Sequence, residues 1–263
     1  MARREALAPA ALSRRSRFWF WIALLSGTGT FLGGVIGELL HIDGGRTGSY
    51  FGILVLGTAF IALLSAIAEL TGWRSALLAA LGCLLIGAGF EVLGLYGSLP
   101  FGRYEYTDWW LPYVTLPGGK LFPLLLPFTW FILVALWYLL LARRWHGWRL
   151  VLGTGLFAAL TDIALEPVLT RVVLFWHWLE PTPFFGAPYQ NPVGWFVVAS
   201  AAAAWLQLFR IERARSLPHP RWLVPAGLLF TAVLGLVYGE PRGALALLLI
   251  LPVSWFGWDS SRN

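Results

Sequence analysis

The stretch LFPLLLPFTWFILVALWYLLLA, residues 121–142, contains no charged side chain, and Arg143 and Arg144 follow it directly. A membrane has a hydrocarbon core about 30 Å thick, which an α-helix of roughly 20 apolar residues can cross. The stretch is long enough for that crossing and ends in the basic residues that commonly anchor a membrane helix. It therefore predicts a transmembrane helix.

Apolar stretches of similar length recur along the chain on both sides of this one. The chain is 58% hydrophobic and only 12% charged, whereas soluble domains have about 25% charged residues. We therefore predict an all-α fold, a polytopic transmembrane helical bundle of about eight spans. The predicted spans are 18–40, 50–70, 75–96, 121–142, 150–168, 193–210, 222–238 and 243–258.

The basic residues between these spans predict the orientation of the chain. Most of the 19 Lys and Arg residues fall on one side of the predicted membrane. The other side carries only Arg46, Arg103, Lys120, Arg171 and Arg242. Because cytoplasmic connections are enriched in basic residues, we expect both termini in the cytoplasm of a multi-pass protein of the plasma membrane. The expected division is a basic segment at 1–17, one transmembrane domain at 18–258 and a tail at 259–263.

The net charge of +6 does not indicate a nucleic-acid partner, because the basic residues form short caps between apolar stretches. That distribution is typical of attraction to anionic lipid headgroups. The single cysteine, Cys83, excludes an internal disulfide and a cysteine-based metal site. Gly29, Gly33 and Gly37, and the small residues at 199–204, are expected to bring helices into close contact.

Acidic residues inside the predicted spans are the strongest functional signal. Asp162 and Glu166 lie four residues apart in ALTDIALEPV (159–168), so a helix would place them on one face. A carboxylate at membrane depth costs roughly 2.5–3.5 kcal/mol, and such residues are commonly functional. With the predicted topology, Glu91 and Glu38 lie toward the same outer side. Glu38 and the inner Glu69 are interpreted as structural.

Two long aromatic connections lie on that same side, at 96–120 and 171–192. Both exceed ordinary connection lengths of about 4–6 residues. We expect the loops and the acids to form one pocket. Trp176 and Trp178 could alternatively belong to the belt of aromatic residues at the membrane interface. Arg103 and Arg171 are candidates to neutralise the acids structurally.

Two neighbouring carboxyl groups can share one proton, which places an acid beside a base. That pair suits protonation of an alkene followed by attack of water on the cation. Aromatic faces stabilise cations, and Tyr hydroxyls and the Asn191 amide could hold the water. The candidate aromatic residues are Phe101, Tyr104, Trp176, Trp178 and Phe185.

The sequence lacks the motifs that metal-dependent, nucleotide-dependent and serine-hydrolase chemistry require. The four histidines are dispersed without an HExxH or ExxH pairing, so no zinc or di-iron site is predicted. The chain has no P-loop and no GxSxG motif. These observations favour redox-neutral proton and water chemistry without metal or cofactor, on a lipid-soluble substrate.

Two motif blocks resemble a known family. The first is PFGRYEYTD (100–108), following Glu91, with PLLLPFTW at 123–130; the second is ALTDIALEP (159–167), with WHW at 176–178 and FFGAPYQNPVGW at 184–195. Together they are similar to the CruF-type carotenoid 1',2'-hydratases, membrane proteins of carotenoid biosynthesis. The resemblance covers about residues 88–196.

The resemblance implies a hydro-lyase that adds water to the terminal double bond of an acyclic carotene such as lycopene, γ-carotene or a bacterioruberin precursor. It also implies other carotenoid-biosynthesis enzymes as partners. Asp162, Glu166 and Glu91 would be catalytic, with Asp162 expected as the proton donor, and the motifs add Tyr106 and Trp195 to the substrate-binding residues. The alternatives are a carotene cyclase, a non-catalytic carotenoid-binding protein and a proton-coupled transporter.

Overall fold

Helical turns occupy every apolar stretch that the sequence predicts to cross the membrane. The structure, a computed structural model, describes residues 12–40, 47–182 and 184–257. Its helices are α1 (Arg14–Leu39), α2 (Thr47–Thr71), α3 (Trp73–Gly97), α4 (Leu126–Leu141), α5 (Gly147–Arg171), α6 (Gln190–Leu208), α7 (His219–Val237) and α8 (Ile250–Gly257). Short 3-10 helices lie at Pro117–Gly119, Ile211–Ala214 and Pro241–Leu249. The predicted all-α bundle is confirmed.

Helix α4 is the centre of the bundle and packs against α2, α3, α5, α6 and α7. A helix that is apolar on every side is stable only when neighbours or lipid surround it. Trp130, Phe131, Trp137 and the run Leu139–Leu141 are almost completely buried. The indole Nε1 of Trp137 donates to Oγ1 of Thr161 on α5 at 3.0 Å, which fixes the two helices next to the acidic stretch.

Five segments of the described chain are long and apolar enough to cross a membrane. Each covers all or most of one helix, and these helices are α1, α2, α3, α5 and α7. Helix α4 and the segment Pro241–Gly257 are apolar but shorter. The chain is therefore membrane-associated through apolar helices. The total of eight crossings and the cytoplasmic position of the termini stay predictions.

Small residues bring α5 and α6 together, as the sequence predicts. A Cβ atom at Gly155 would lie 2.7 Å from the carbonyl oxygen of Phe196, and Ala199, Ala202 and Ala203 are fully buried. The three glycines of α1 behave differently. A Cβ atom at Gly29, Gly33 or Gly37 would meet no other described atom within 4 Å, so the expectation that they pack against another helix of this chain is wrong for the described residues.

Polar contacts at the end of the bundle where α4 finishes and α1 begins are structural. Arg144 donates from Nε to the carbonyl of Trp255 at 3.1 Å and lies over the Trp255 ring at 4.6 Å, which docks α8 on the end of α4. Glu69 accepts hydrogen bonds from Ser13 and from the Ser16 hydroxyl, and thereby joins α2 to the start of α1. This agrees with the structural interpretation of Glu69. The side chain of Glu38 lies outside the described residues.

Two short β-ribbons occur where the sequence suggested only loops. Strand β1 (Tyr104–Tyr106) pairs antiparallel with β4 (Trp176–Trp178), and β2 (Tyr113–Thr115) pairs with β3 (Leu121–Pro123). Side chains alternate across a strand. Tyr104 and Tyr106 therefore share one face of the first ribbon with Trp176 and Trp178, and this ribbon joins the two long aromatic connections.

Candidate active site

Three acidic side chains from two helices converge beneath the ribbon of β1 and β4. Glu91 on α3 is 4% exposed, and Asp162 and Glu166 on α5 are each 1% exposed. Asp162 and Glu166 both accept from Nδ2 of Asn191. Glu91 is joined to them through the ribbon, because its donor Tyr104 packs edge-on against Trp178, a donor to Glu166. The structure thus places the three predicted catalytic residues in one buried cluster, which we call the carboxylate cluster.

Glu166 is held by three N–H donors. Its Oε1 accepts from the indole nitrogens of Trp176, at 3.0 Å, and Trp178. Its Oε2 accepts from Nδ2 of Asn191 at 3.3 Å. Hydrogen bonds donated to a carboxylate favour its ionised form. Both carboxyl oxygens of Glu166 thus have N–H donors in the described structure.

Glu91 is held in a similar way by different residues. Its Oε2 accepts from the hydroxyls of Tyr104 at 2.6 Å and Tyr106 at 2.7 Å. Its Oε1 accepts from the indole nitrogen of Trp130 at 3.0 Å. Burial, followed by the charge of Glu91, raises the pKa of both tyrosines well above their ordinary value. The two tyrosines therefore keep their protons and remain donors to Glu91.

Asp162 differs from its two neighbours because it has fewer donors. Its Oδ2 accepts from Nδ2 of Asn191 at 2.7 Å, whereas its buried Oδ1 has no hydrogen-bond partner among the described residues. Three ionised carboxylates cannot be held together in a buried site at reasonable cost. Asp162 is therefore the acid with the fewest described donors, since the other two acids accept three hydrogen bonds each.

Trp130 was not among the site residues predicted from the sequence. It lies at the end of PLLLPFTW, so a signal was present, but a tryptophan near a helix end is also typical of an interfacial belt. Its ring packs against Trp195 at a centroid distance of 4.5 Å and stacks on Phe101 at 6.3 Å. The predicted residues Phe101 and Trp195 therefore reach the carboxylate cluster through Trp130.

Close approach of Trp130 to α3 requires a glycine. Gly87 precedes Glu91 by one helical turn, and a Cβ atom there would lie 2.5 Å from the Trp130 ring. A Cβ atom at Gly94 would similarly lie 2.8 Å from the Tyr104 hydroxyl oxygen. Trp130 and Tyr104, which both donate to Glu91, can thus approach α3 only because residues 87 and 94 are glycines.

Gly87→Ala is expected to lower the free energy of unfolding by about 1–3 kcal/mol, because the added methyl group overpacks the Trp130 contact. Gly89→Ala is the matched control, since a Cβ atom at Gly89 meets nothing within 4 Å. Both changes give the same gain in helix propensity. Thermal unfolding of the purified variants in detergent measures the difference, and equal stability of the two would contradict the Trp130 contact.

Phe185 is placed away from the carboxylate cluster. It is 39% exposed, packs on Phe184, and lines a mostly apolar groove of about 390 Å³ with Leu245 and Leu248. The structure therefore does not bring Phe185 together with the other predicted aromatic residues.

The two predicted ion-pair arginines also lie outside the carboxylate cluster. Arg103 is exposed on the ribbon. Arg171 lies 3.5 Å from Glu240, and hydrogen bonds from Arg242 lower the pKa of this same glutamate. In the described part of the chain, the acids are held by neutral donors, and Arg171 instead links the end of α5 to the last segment. No group of three His, Cys, Asp or Glu side chains in those residues is arranged to hold a metal ion.

A family model described as carotenoid biosynthesis protein matches residues 49–256. The chain belongs to this family. The match includes the whole carboxylate cluster and the ribbon, and it extends on both sides of the two motif blocks at 88–196. The same comparisons found no match among curated proteins and none among solved structures. Membership places the protein in carotenoid biosynthesis and indicates an enzyme with a carotenoid substrate.

Proposed function

We propose that this carotenoid biosynthesis protein is a carotenoid 1',2'-hydratase, a cofactor-independent hydro-lyase of the plasma membrane. The observation that supports this proposal best is the contrast within the carboxylate cluster. Asp162 has an unpartnered oxygen, while Glu91 and Glu166 each accept three hydrogen bonds. One carboxylic acid beside two carboxylates can protonate an alkene and then accept a proton from water.

The first step is protonation of the terminal double bond of an acyclic carotene end. The carboxyl proton of Asp162 moves to C2', and the π electrons form the new C–H bond. A tertiary cation remains at C1', and Asp162 becomes a carboxylate. The charges of Glu91 and Glu166 favour this cation, because preorganised charges in a dry site stabilise a developing charge of opposite sign. Trp195 is partly exposed and offers an aromatic surface for the substrate end, backed by the buried rings of Trp130 and Phe101.

The second step is addition of water. The water oxygen bonds to C1' and gives an oxonium, which loses a proton to Glu166. That proton passes to Asp162, which neighbours Glu166 and shares the Asn191 amide donor with it. The product is a tertiary alcohol, and the carboxylate cluster returns to its starting protonation state. No oxidant, metal or nucleotide takes part.

Expression in lycopene-accumulating cells is expected to yield a carotenoid heavier than lycopene by one water, or by two waters when both ends react. Chromatography followed by mass spectrometry measures the product. A product of unchanged mass but altered retention would instead indicate a cyclase. Lycopene that co-purifies unchanged, followed by the same result with γ-carotene, would indicate a binding protein and contradict the proposal.

A further inference from the structure

The carboxylate cluster is buried beneath an aromatic ribbon, yet a hydratase consumes one water molecule in every turnover. Resting on the proposed function, we propose that the polar cavity beside Tyr106 is the water supply of the site. The cavity has a volume of about 230 Å³, and the residues that line it include Leu95, Glu105, Tyr106, Gly118, Gly119 and Lys120. We call it the vestibule.

The vestibule lies one helical turn beyond Glu91. Leu95 follows Glu91 by four residues on α3, so the two side chains share a face of that helix. Tyr106 is common to both places, because it is one of the residues that line the vestibule and its hydroxyl donates to Oε2 of Glu91 at 2.7 Å. Tyr106 therefore separates the vestibule from the carboxylate cluster, and its hydroxyl already holds a hydrogen bond that water could take over.

The lining of the vestibule suits water. Nζ of Lys120 lies 3.6 Å from Oε1 of Glu105, and both side chains are partly exposed. Gly118 and Gly119 have positive φ angles of 75° and 77°, and they contribute backbone without side chains. A buried water needs two to four polar partners and about 30 Å³ of liquid volume, so the vestibule has room for several.

The apolar groove at Phe185 makes a useful contrast. It is larger, at about 390 Å³, and its lining is apolar except for Arg242, whose guanidinium donates to Glu240. The other lining residues are Phe185, Pro241, Ala244, Leu245 and Leu248. Cavities lined by such residues stay dry or bind apolar molecules. Of these two spaces, the vestibule is the one suited to deliver water.

The chain offers a clean thiol-labelling test. Cys83 is the single cysteine and is fully buried, so an introduced cysteine is the reactive one. Lys120→Cys is purified in lipid nanodiscs and treated with methanethiosulfonate reagents, first with a methyl group and then with a bulky charged group. Hydration of lycopene is compared in each protein before and after labelling. Leu179→Cys, exposed on the neighbouring connection outside the vestibule, is the control.

The bulky label at position 120 is expected to abolish hydrated product, the methyl label to do so only in part, and reduction of the mixed disulfide to restore activity. Labelling at position 179 should leave the rate unchanged. Full labelling of Lys120→Cys by the bulky reagent without loss of hydration would overturn the water route.

A second measurement does not depend on turnover. A cysteine in place of Leu95 is expected to react with the methyl reagent much faster than Cys83, because thiolate formation requires contact with water. If that cysteine is as unreactive as Cys83, the vestibule does not hold water and the inference fails. If it reacts but the unmodified protein hydrates neither lycopene nor γ-carotene, the proposed function fails while the vestibule stands as a water-filled site.

Discussion

Asp162→Asn is expected to lower the rate of hydrated-product formation by at least about 100-fold, the lower end of what general acid catalysis contributes. The asparagine side chain has nearly the same shape and can still accept the N–H bond from Asn191. Its amide has no proton acidic enough to protonate an alkene. The measurement is the quantity of hydrated carotenoid formed per amount of folded protein in lycopene-accumulating cells.

Asp108→Asn is the matched control for this change. Asp108 lies in the connection after β1 and does not belong to the carboxylate cluster, so this variant should form product at close to the normal rate. Thermal unfolding of both purified proteins separates a chemical effect from misfolding. An Asp162→Asn protein that folds and keeps most of its hydration activity would exclude Asp162 as the proton donor.

The proximity of Asp162 and Glu166 could be predicted from the sequence, because it depends only on their spacing along one helix. Asp162 and Glu166 are separated by four residues, and helical geometry alone places them on one face. The prediction that Glu91 lies near these two acids required one further assumption, that α3 and α5 run in the same direction across the membrane. That direction follows from the order of apolar stretches and the distribution of basic residues.

The partners of the acids were harder to predict, because they depend on contacts between residues far apart in the chain. Trp176 and Trp178 were expected to present aromatic faces to a cation, whereas the structure uses their indole N–H groups to bind Glu166. Buried indole and phenol groups need hydrogen-bond partners, and the acids supply them. Only the pairing of β1 with β4 determines which residue reaches which acid.

The dependence on long-range contacts also explains why the positions of Arg103 and Arg171 could not be predicted from the sequence. Opposite charge made Arg103 and Arg171 natural candidates to neutralise buried acids. In the described structure, one is exposed on the ribbon and the other lies beside Glu240. A guanidinium would have to leave water to reach the carboxylate cluster, which costs several kcal/mol per ion. Neutral donors already present in the aromatic loops satisfy the acids at lower cost.

Glu166→Gln separates the base from the acid. The glutamine carbonyl can accept both indole N–H bonds, and its amide can donate to Asp162. Only the long hydrogen bond from Asn191, at 3.3 Å, is lost, so we expect the protein to fold. Hydrated product should fall by about 100-fold or more, because the carboxylate proposed to take the proton from the attacking water is lost. Glu180→Gln, on the connection two residues after Trp178, is the control and should hydrate lycopene normally.

The distinguishing measurement is deuterium incorporation into unreacted lycopene when the reaction is run in D₂O. In Glu166→Gln, Asp162 can still deliver a deuteron to C2'. Because the water adduct then cannot pass its proton to residue 166, it releases water, and the cation loses a proton from C2' and returns to the alkene. Recovered lycopene should therefore carry deuterium although little alcohol forms. In Asp162→Asn the cation never forms, so both deuterium and alcohol should be missing. If Glu166→Gln loses exchange along with hydration, Glu166 takes part in protonation itself, and the division of acid and base between the two residues is wrong.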